Sequence, residues 1–220
     1  MPIARIADKV LFFIHIPKCG GSSIEHVLRQ NGSLALYSRT DNTHFKCSAQ
    51  HIHAKIHEVI IPEDFYDTCF AVLRQPEARM VSEYMFQKHR QVLMAEKTGR
   101  AVKELPIFPQ WVRNTFEQYK SDPYMLDNHI RAQTEFLRSG AKLFYLEDGL
   151  EDVYKWLRSV CSVPIAVPQV RALKSAGRKP GVLPETRRLI EEFYRTDIEL
   201  IRRRPAFYVS ASHVVEPPPG

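Results

Sequence analysis

The sequence predicts an α/β fold in which a central parallel sheet is flanked by helices. Two apolar runs at 10–14 and 69–73, and a third run at 142–146 that begins with a lysine, are each followed by a helical pattern. Runs that are apolar throughout are typical of strands buried on both faces. Such strands, when they alternate with helices, indicate a parallel sheet. We therefore expect a three-layer, P-loop-like arrangement.

The predicted elements follow from the spacing of apolar and turn-forming residues. The first run leads through a turn at 17–23 into a helix, which an Asn-Gly pair at 31–32 should end. After the second run, Pro76 suits the first turn of a helix that we expect to continue to about residue 89. The third run precedes a helix expected over 150–160.

The length of 220 residues suits one domain. We expect residues 1–210 to form it, with a helical insertion at about 92–140 that covers one face. Within this insertion, helices are predicted at 108–119 and 128–137. The proline-rich residues 211–220 should form a disordered tail.

The net charge of +6 favours anionic partners. Nucleotides, acidic glycans, nucleic acids and membrane surfaces all fit a basic protein, and the charge alone does not choose between them. The composition is 44% hydrophobic and 25% charged, which is ordinary for a globular protein and permits a core without metals or disulfides.

The cysteines and the N-terminal residues predict an intracellular, reduced protein. The four cysteines form no CxxC pair and no zinc pattern, and Cys69 and Cys161 lie in apolar runs that indicate buried thiols. The first ten residues lack the apolar stretch of a signal peptide. The longest apolar run, at 10–14, is too short to span a bilayer. We expect a cytoplasmic location and no membrane span.

The turn at 17–23 has the composition of a phosphate-binding loop. Backbone N–H groups at a helix start are electropositive, and glycines let the backbone approach a ligand. Lys18 adds a charge. A Walker loop has its lysine after the glycines, whereas Lys18 precedes Gly20 and Gly21, so an ordinary P-loop kinase or GTPase is disfavoured. The alternative is a tight turn with Ser22 as the helix cap.

Residues 15–23, which spell HIPKCGGSS, resemble the 5′-phosphosulfate loop of sulfotransferases that use 3′-phosphoadenosine 5′-phosphosulfate (PAPS). The nearest resemblance is to the carbohydrate branch that includes heparan sulfate 2-O-sulfotransferase and bacterial relatives. That branch usually has PKTGGTS, so Cys19 replaces a threonine and removes one hydroxyl. The resemblance implies that the phosphosulfate is held by Lys18, Cys19, Gly20, Gly21, Ser22 and Ser23.

Residues 74–84, which spell RQPEARMVSEY, resemble the family pattern RDPxxRxxSxY. The resemblance implies that Arg74 and Ser82 hold the 3′-phosphate of the nucleotide. Arg74 follows a predicted strand, where α/β sheets bind ligands, and its planar guanidinium can grip phosphate through two hydrogen bonds. Gln75 replaces the usual aspartate, which changes the local charge.

A structural role is also open for both arginines of this segment. Arg74 would then cap its strand. Arg79 would pair with Glu83, four residues later on the same helix face, and this is the role that we expect for Arg79.

His51 and His53 are the candidates for proton transfer. An acceptor hydroxyl must lose its proton as it attacks, and histidine is the usual base. In an extended segment, residues two apart share a face, so both imidazoles are expected to enter one cleft. The resemblance implies that His53 is the base and that His51 either supports it or contacts the acceptor. A metal site and a solvated surface are the alternatives; no acidic or cysteine partner stands at ligand spacing, so we expect no metal.

Two weaker signals concern the rest of the site. A basic loop within 163–184 precedes one amphipathic closing helix predicted over 184–203. The resemblance implies that Lys174 and Ser175 in this loop close over the nucleotide; the alternative is an ordinary charged surface loop. It also implies that Asp127, Asn128 and Arg131 mark a helix start near the acceptor.

Together these features predict an O-sulfotransferase that moves a sulfuryl group from PAPS to a sugar hydroxyl on a glycan or glycolipid. PAPS would leave as 3′-phosphoadenosine 5′-phosphate (PAP), and no metal would be required. One alternative is an atypical ATP-dependent kinase, although no Walker B-like aspartate follows the second strand. The other is a non-catalytic protein that binds acidic glycans. No nucleic-acid partner is expected, because the cations are spread along the chain.

Overall fold

One five-stranded sheet forms the centre of the fold. The computed structural model describes residues 1–37, 45–167 and 178–210. The strands lie in the order β3-β1-β2-β4-β5. Their bounds are β1 Ile3–Ile6, β2 Lys9–Ile14, β3 Ser33–Ala35, β4 Thr68–Leu73 and β5 Lys142–Tyr145. The pairs β2–β4 and β4–β5 are parallel, which confirms the predicted central sheet, while β1 runs antiparallel to β2 and β3.

Eight helices surround the sheet within the described residues. They are α1 Gly21–Asn31, α2 Ala54–Ile60, α3 Pro76–Thr98, α4 Phe108–Ser121, α5 Met125–Asn128, α6 Glu151–Cys161, α7 Pro184–Phe193 and α8 Arg195–Arg203. None of them is long and apolar enough to cross a membrane. That residues 1–210 form one domain with an insertion at 92–140 stays a prediction, and the tail at 211–220 lies outside the described residues.

The alternation of side chains along β2 and β4 divides the core into two layers. Phe13 and Phe70 face the side covered by α1 and α6, where Leu28 and Leu157 are buried. The opposite face is also buried, against Phe136 and against Ile201 of helix α8. A third cluster joins α3, α4 and α7. All four cysteines are free and buried, in agreement with the expected buried thiols.

The prediction of a helix at 128–137 is wrong. Leu126, Asp127 and Asn128 have φ values of 53°, 59° and 65°, in the left-handed region, and only a 3₁₀ turn at Gln133–Phe136 follows. The side chain of Asn128 donates a hydrogen bond to the carbonyl of His51 at 2.8 Å. Such a bond from a side chain to the backbone stabilises a non-helical conformation.

Two other helices differ from their predicted bounds. The closing helix is broken at Tyr194, whose φ and ψ are −105° and 33°, so that α7 and α8 replace a single helix. The buried hydroxyl of Tyr194 donates to the carbonyl of Ile130 at 2.7 Å, which fixes the break against the core. Helix α3 continues to Thr98, where Gly99 ends it with a φ of 65°.

Candidate active site

The loop between β2 and α1 has the backbone of an anion-binding turn. Lys18 and Gly20 have φ values of 66° and 84°. Gly20 is the N-cap of α1, so Ser22 lies inside the first turn of the helix and not at the cap position expected in the alternative. The first N–H groups of a helix have no intrahelical partner. The start of α1 therefore fits a negatively charged group.

A histidine ring lies directly beneath this loop. A Cβ added at Gly21 would lie 2.4 Å from Nε2 of His15, so the close packing requires glycine. Nδ1 of His15 is hydrogen-bonded to the carboxylate of Glu25, and both side chains are buried. Burial lowers the pKa of His15, and Glu25 opposes that shift only in part. The ring is thus a fixed floor under the glycine loop.

The side chain of Lys18 extends from the loop to helix α3. Its ammonium is 3.9 Å from the ring centroid of Phe86, the distance of a cation–π contact. Burial lowers the pKa of Lys18, with a further lowering from Arg74, while the charge of Glu83 opposes both. A half-buried cation with few competing water molecules interacts strongly with an anion.

Arg74 joins the second motif to the first. It follows β4, and its Nη1 donates to the carbonyl of Lys18 at 3.0 Å. Gln133 fixes its backbone, because Oε1 accepts from the Arg74 N–H at 2.9 Å and Nε2 donates to the Arg74 carbonyl at 2.8 Å. The same Oε1 accepts from the thiol of Cys19 at 3.2 Å. One glutamine therefore holds both motifs in register.

Asp197 on α8 holds Gln133 in turn. Its Oδ2 accepts from the Gln133 N–H at 2.8 Å, and its Oδ1 accepts from the Thr134 N–H at 3.0 Å. Burial raises the pKa of Asp197, although Arg79 and these N–H groups oppose the rise. The hydrogen bonds of Gln133 to Arg74 thus depend on Asp197, a residue far along the chain that the sequence analysis missed.

Arg79 has a structural role, but its predicted pair with Glu83 is wrong. Its Nε donates to the carbonyl of Pro17 at 3.0 Å and its Nη2 to the carbonyl of His129 at 2.8 Å. Arg79 is only 1% exposed, so it supports the loop from inside the protein. Glu83 instead accepts hydrogen bonds from Gln87 and from His129 at 2.5 and 2.7 Å.

His51 is oriented by a carboxylate. Its Nδ1 lies 2.7 Å from Oδ2 of Asp127, which also accepts from the hydroxyl of Ser48 at 2.9 Å. Nδ1 therefore carries the proton, and Nε2 keeps its lone pair. Burial lowers the pKa of His51, with smaller contributions from His129 and His15, while the hydrogen bond to Asp127 opposes the shift. The imidazole is neutral at pH 7.

Aromatic rings connect His51 to the loop. The ring centroid of His51 lies 5.1 Å from that of His15 and 4.8 Å from that of His129. His129 in turn stacks on Phe86, with centroids 5.6 Å apart. Since Phe86 also contacts Lys18, His51 belongs to the same cluster as the loop lysine.

His53 has different surroundings. It is the N-cap of α2, and its ring lies 5.6 Å from that of Tyr124 in an edge-on contact. Its buried Nδ1 has no hydrogen-bond partner in the part of the chain that the structure describes. His51 ends a 3₁₀ turn at Ala49–His51 rather than lying in an extended strand. The two imidazoles are therefore not equivalent members of one strand face.

Ser82 and the closing loop complete the predicted nucleotide residues. Ser82 lies half-buried in α3, and its contact with a 3′-phosphate stays a prediction. Lys174 and Ser175 lie outside the described residues. The contributions of Ser22 and Ser23, which lie in the first turn of α1, also stay predictions.

The sequence analysis missed an acidic partner for the histidines. His51, Asp127 and His129 offer ligand atoms that lie within 4.8 Å of one another. However, His51 and Asp127 contact each other directly at 2.7 Å. Two ligands of one zinc ion, each about 2.0–2.2 Å from it in a tetrahedral site, would lie farther apart than this. The contact has the geometry of a hydrogen bond.

The fold and this site define an α/β protein with a glycine loop between a central strand and helix α1. A model of the sulfotransferase family matches residues 3–161, which is more than half of the chain and includes β1 through α6. The chain therefore belongs to the sulfotransferase family. No curated protein and no solved structure matched it significantly. Membership of the heparan sulfate 2-O-sulfotransferase branch stays a prediction.

Proposed function

We propose that the protein transfers a sulfuryl group from PAPS to a hydroxyl of a carbohydrate acceptor. One observation carries this proposal: Arg74, which follows one strand, donates to the carbonyl of Lys18, which follows the neighbouring parallel strand. The guanidinium of Arg74 thus lies at the glycine loop, close enough to Lys18 for its charge to lower the pKa of the lysine. PAPS carries two separate anionic groups, and such an arrangement of cations suits it.

The residues present fit the proposed donor. Lys18 and the N–H groups at Gly20 and Gly21 would hold the 5′-phosphosulfate at the start of α1, where Gly20 is the N-cap. Arg74 and Ser82 would hold the 3′-phosphate. Among the described residues, only Nη1 of the Arg74 guanidinium makes a hydrogen bond, so Nη2 and Nε remain for a ligand.

The proton acceptor that the geometry favours is His51 rather than His53. The acceptor oxygen forms a bond to sulfur as the bond from sulfur to the 5′-phosphate oxygen breaks, and its proton passes to Nε2 of His51. Asp127 then stabilises the imidazolium, and Lys18 stabilises the charge that develops on the leaving phosphate. His53, the base that the resemblance implies, contacts the ring of Tyr124 and has, among the described residues, no hydrogen bond to a carboxylate comparable to that between His51 and Asp127.

A radiolabel-transfer assay tests the function. Purified protein is incubated with ³⁵S-labelled PAPS and de-O-sulfated heparin, and label in the polysaccharide is counted. We expect Lys18→Ala and His51→Ala each to lose about 10²-fold or more in turnover, as the loss of a charge stabiliser or a general base does. His53→Ala is the matched control and should lose less than tenfold.

The opposite results are equally informative. Near-normal turnover in Lys18→Ala would contradict the mechanism. A large loss of turnover in His53→Ala together with a small loss in His51→Ala would indicate that His53 is the base. Transfer of phosphate from ATP with Mg²⁺, without sulfate transfer from PAPS, would favour the kinase alternative. The sugar acceptor and the cytoplasmic location stay predictions.

A further inference from the structure

The side chain of Gln133 contacts both phosphate motifs at once. It is fully buried, and both lone pairs of Oε1 and both N–H groups of Nε2 have partners. Oε1 accepts from the N–H of Arg74 and from the thiol of Cys19. Nε2 donates to the carbonyl of Arg74 and, at 3.3 Å, to the carboxylate of Asp197. Two donors at one end and two acceptors at the other assign the orientation of the carboxamide.

The carboxamide binds the backbone of Arg74 as a neighbouring strand would. It bonds both the N–H and the C=O of this residue, which directly follows β4. The guanidinium therefore extends from a fixed backbone to the carbonyl of Lys18 at 3.0 Å. Since Lys18 and Cys19 are consecutive, Arg74 and Gln133 together contact the loop at two adjacent residues.

This part of the loop requires support from its surroundings. Lys18 has a φ of 66°, in the left-handed region that residues other than glycine rarely adopt. Such a conformation persists where neighbouring groups hold it in place. The contacts from Arg74 and Gln133 lie at this residue and at the next one, so a change in either partner is transmitted to the loop.

Asp197 of α8 holds the carboxamide of Gln133 from the other side. Its Oδ2 accepts from the backbone N–H as well as from Nε2 of this glutamine. Asp197 is fully buried, and a buried network of satisfied hydrogen bonds is rigid. Asp197 lies outside residues 3–161, which the family model matches, so the network connects α8 to the part of the chain that carries both motifs.

We propose that Gln133 is a positioning residue that couples the two phosphate-binding motifs, and that Asp197 sets the orientation of its carboxamide. The inference rests on the proposed function and deepens it, because the loop for the 5′-phosphosulfate and the residue for the 3′-phosphate then act as one unit. A displacement of either motif moves the oxygen that both contact. Coupling of this kind is reciprocal, so loosening the loop at Cys19 weakens recognition of the 3′-phosphate by Arg74.

A purely structural role for Gln133 would have a different consequence. Loss of its buried hydrogen bonds lowers the free energy of unfolding whichever role is correct. A loss of stability alone changes the fraction of folded protein, whereas the folded molecules would keep the ratio of PAP affinity to AMP affinity. This ratio reports the 3′-phosphate, since AMP lacks it, and it therefore distinguishes positioning from stability.

Calorimetric titration of the full chain with PAP and with AMP measures the ratio, at a temperature where circular dichroism shows each variant to be folded. We expect Gln133→Leu to lower the preference for PAP about tenfold, because Arg74 loses the two hydrogen bonds that fix its backbone. Asp197→Asn should lower it less, because one side-chain oxygen remains as an acceptor. Where Gln133→Leu does not fold, Gln133→Asn, whose carboxamide is withdrawn by one methylene, should give the same fall.

The matched control is Thr134→Val. It removes a hydrogen bond of 3.1 Å to the same carboxylate of Asp197 but none of the hydrogen bonds of Gln133. It should therefore lower the stability and keep the ratio of PAP affinity to AMP affinity within about twofold of wild type.

Cys19→Ala tests the coupling itself, because it removes the thiol that contacts Gln133 from the loop side. A thiol is a weak donor, so we expect the preference for PAP to fall about threefold in this variant. In the Gln133→Leu background the same substitution should leave the ratio unchanged, since the contact is already lost.

Three results would overturn the coupling. They are an unchanged ratio in Gln133→Leu or in Cys19→Ala, an equal fall in Thr134→Val, and a fall in Cys19→Ala that persists when Gln133 is replaced. A wild-type protein that does not bind PAP contradicts the proposed function and the coupling together. A wild-type protein that prefers PAP, with the same preference in Gln133→Leu, contradicts the coupling alone.

Discussion

Substitution of Gly21 by alanine tests the close packing between the loop and His15. The added methyl carbon would lie 2.4 Å from Nε2 and 2.5 Å from Cε1 of the imidazole, whereas ordinary contacts begin at 3.4 Å. Either the ring or the start of α1 must therefore move by about 1 Å. His15 is 4% exposed and is bonded to Glu25, so the ring has little room to move.

The expected cost combines three contributions. Overpacking of this size costs about 1–3 kcal/mol, and disturbing the buried bond between His15 and Glu25 adds about 1 kcal/mol. The higher helix propensity of alanine returns up to about 1 kcal/mol. We therefore expect Gly21→Ala to lower the free energy of unfolding by about 1–3 kcal/mol and to weaken PAP binding, because the loop is displaced.

Urea denaturation and PAP calorimetry measure these two effects. Gly181→Ala is the matched control, since a Cβ there would meet no atom within 4 Å. Adding His15→Ala should remove the clash, so the double variant should be less destabilised than the sum of the single variants. An unfolding free energy within about 0.5 kcal/mol of wild type, with unchanged PAP affinity, would refute the packing of His15 under the loop.

Two further predictions concern charge in the site. Glu83→Gln removes the carboxylate that raises the pKa of Lys18 against the effect of burial. Because Lys18 is charged only below its pKa, the fall of kcat/KM at alkaline pH should move to lower pH. Gln87→Ala, which removes a hydrogen-bond donor to Glu83 but keeps the charge, should leave this pH profile unchanged. An unmoved profile in Glu83→Gln would show that this charge does not act on Lys18. Asp127→Asn should lower kcat about 10²-fold with little change in PAP affinity, because His51 loses its orienting carboxylate. A normal kcat for this variant in steady-state kinetics would contradict the prediction.

The sequence predicted the parts of the fold that local patterns determine. Apolar runs identified β2 and β4, which are largely buried on both faces, and β5, whose alternate residues Lys142 and Phe144 are only half-buried; each of the three runs is followed by a helix. The glycine loop was recognisable because its chemistry lies in consecutive residues. The antiparallel strand β1 was missed, because it has only four residues and one of them, Arg5, is exposed.

The partners of the site residues could not be predicted, because they are distant in sequence. Gln133 is 59 residues from Arg74, and Asp127 is 76 residues from His51. Gln133 lies where a regular helix was expected, at 128–137, and Asp127 directly precedes that range; left-handed residues there have no periodic signal. The spacing of His51 and His53 likewise did not reveal that one ends a 3₁₀ turn and the other begins α2.

The central claim is that Arg74 and the loop together recognise PAPS. Calorimetric titration with PAP, without divalent metal, tests it most directly, with AMP and ATP as controls. Two charge-assisted hydrogen bonds to the 3′-phosphate should make PAP bind about 100-fold more tightly than AMP, and Arg74→Ala should remove most of that difference. Arg74→Lys, which keeps the charge but not the planar fork, should fall between them. Equal affinity for PAP and AMP, or tight binding that Arg74→Ala leaves unchanged, would contradict the claim.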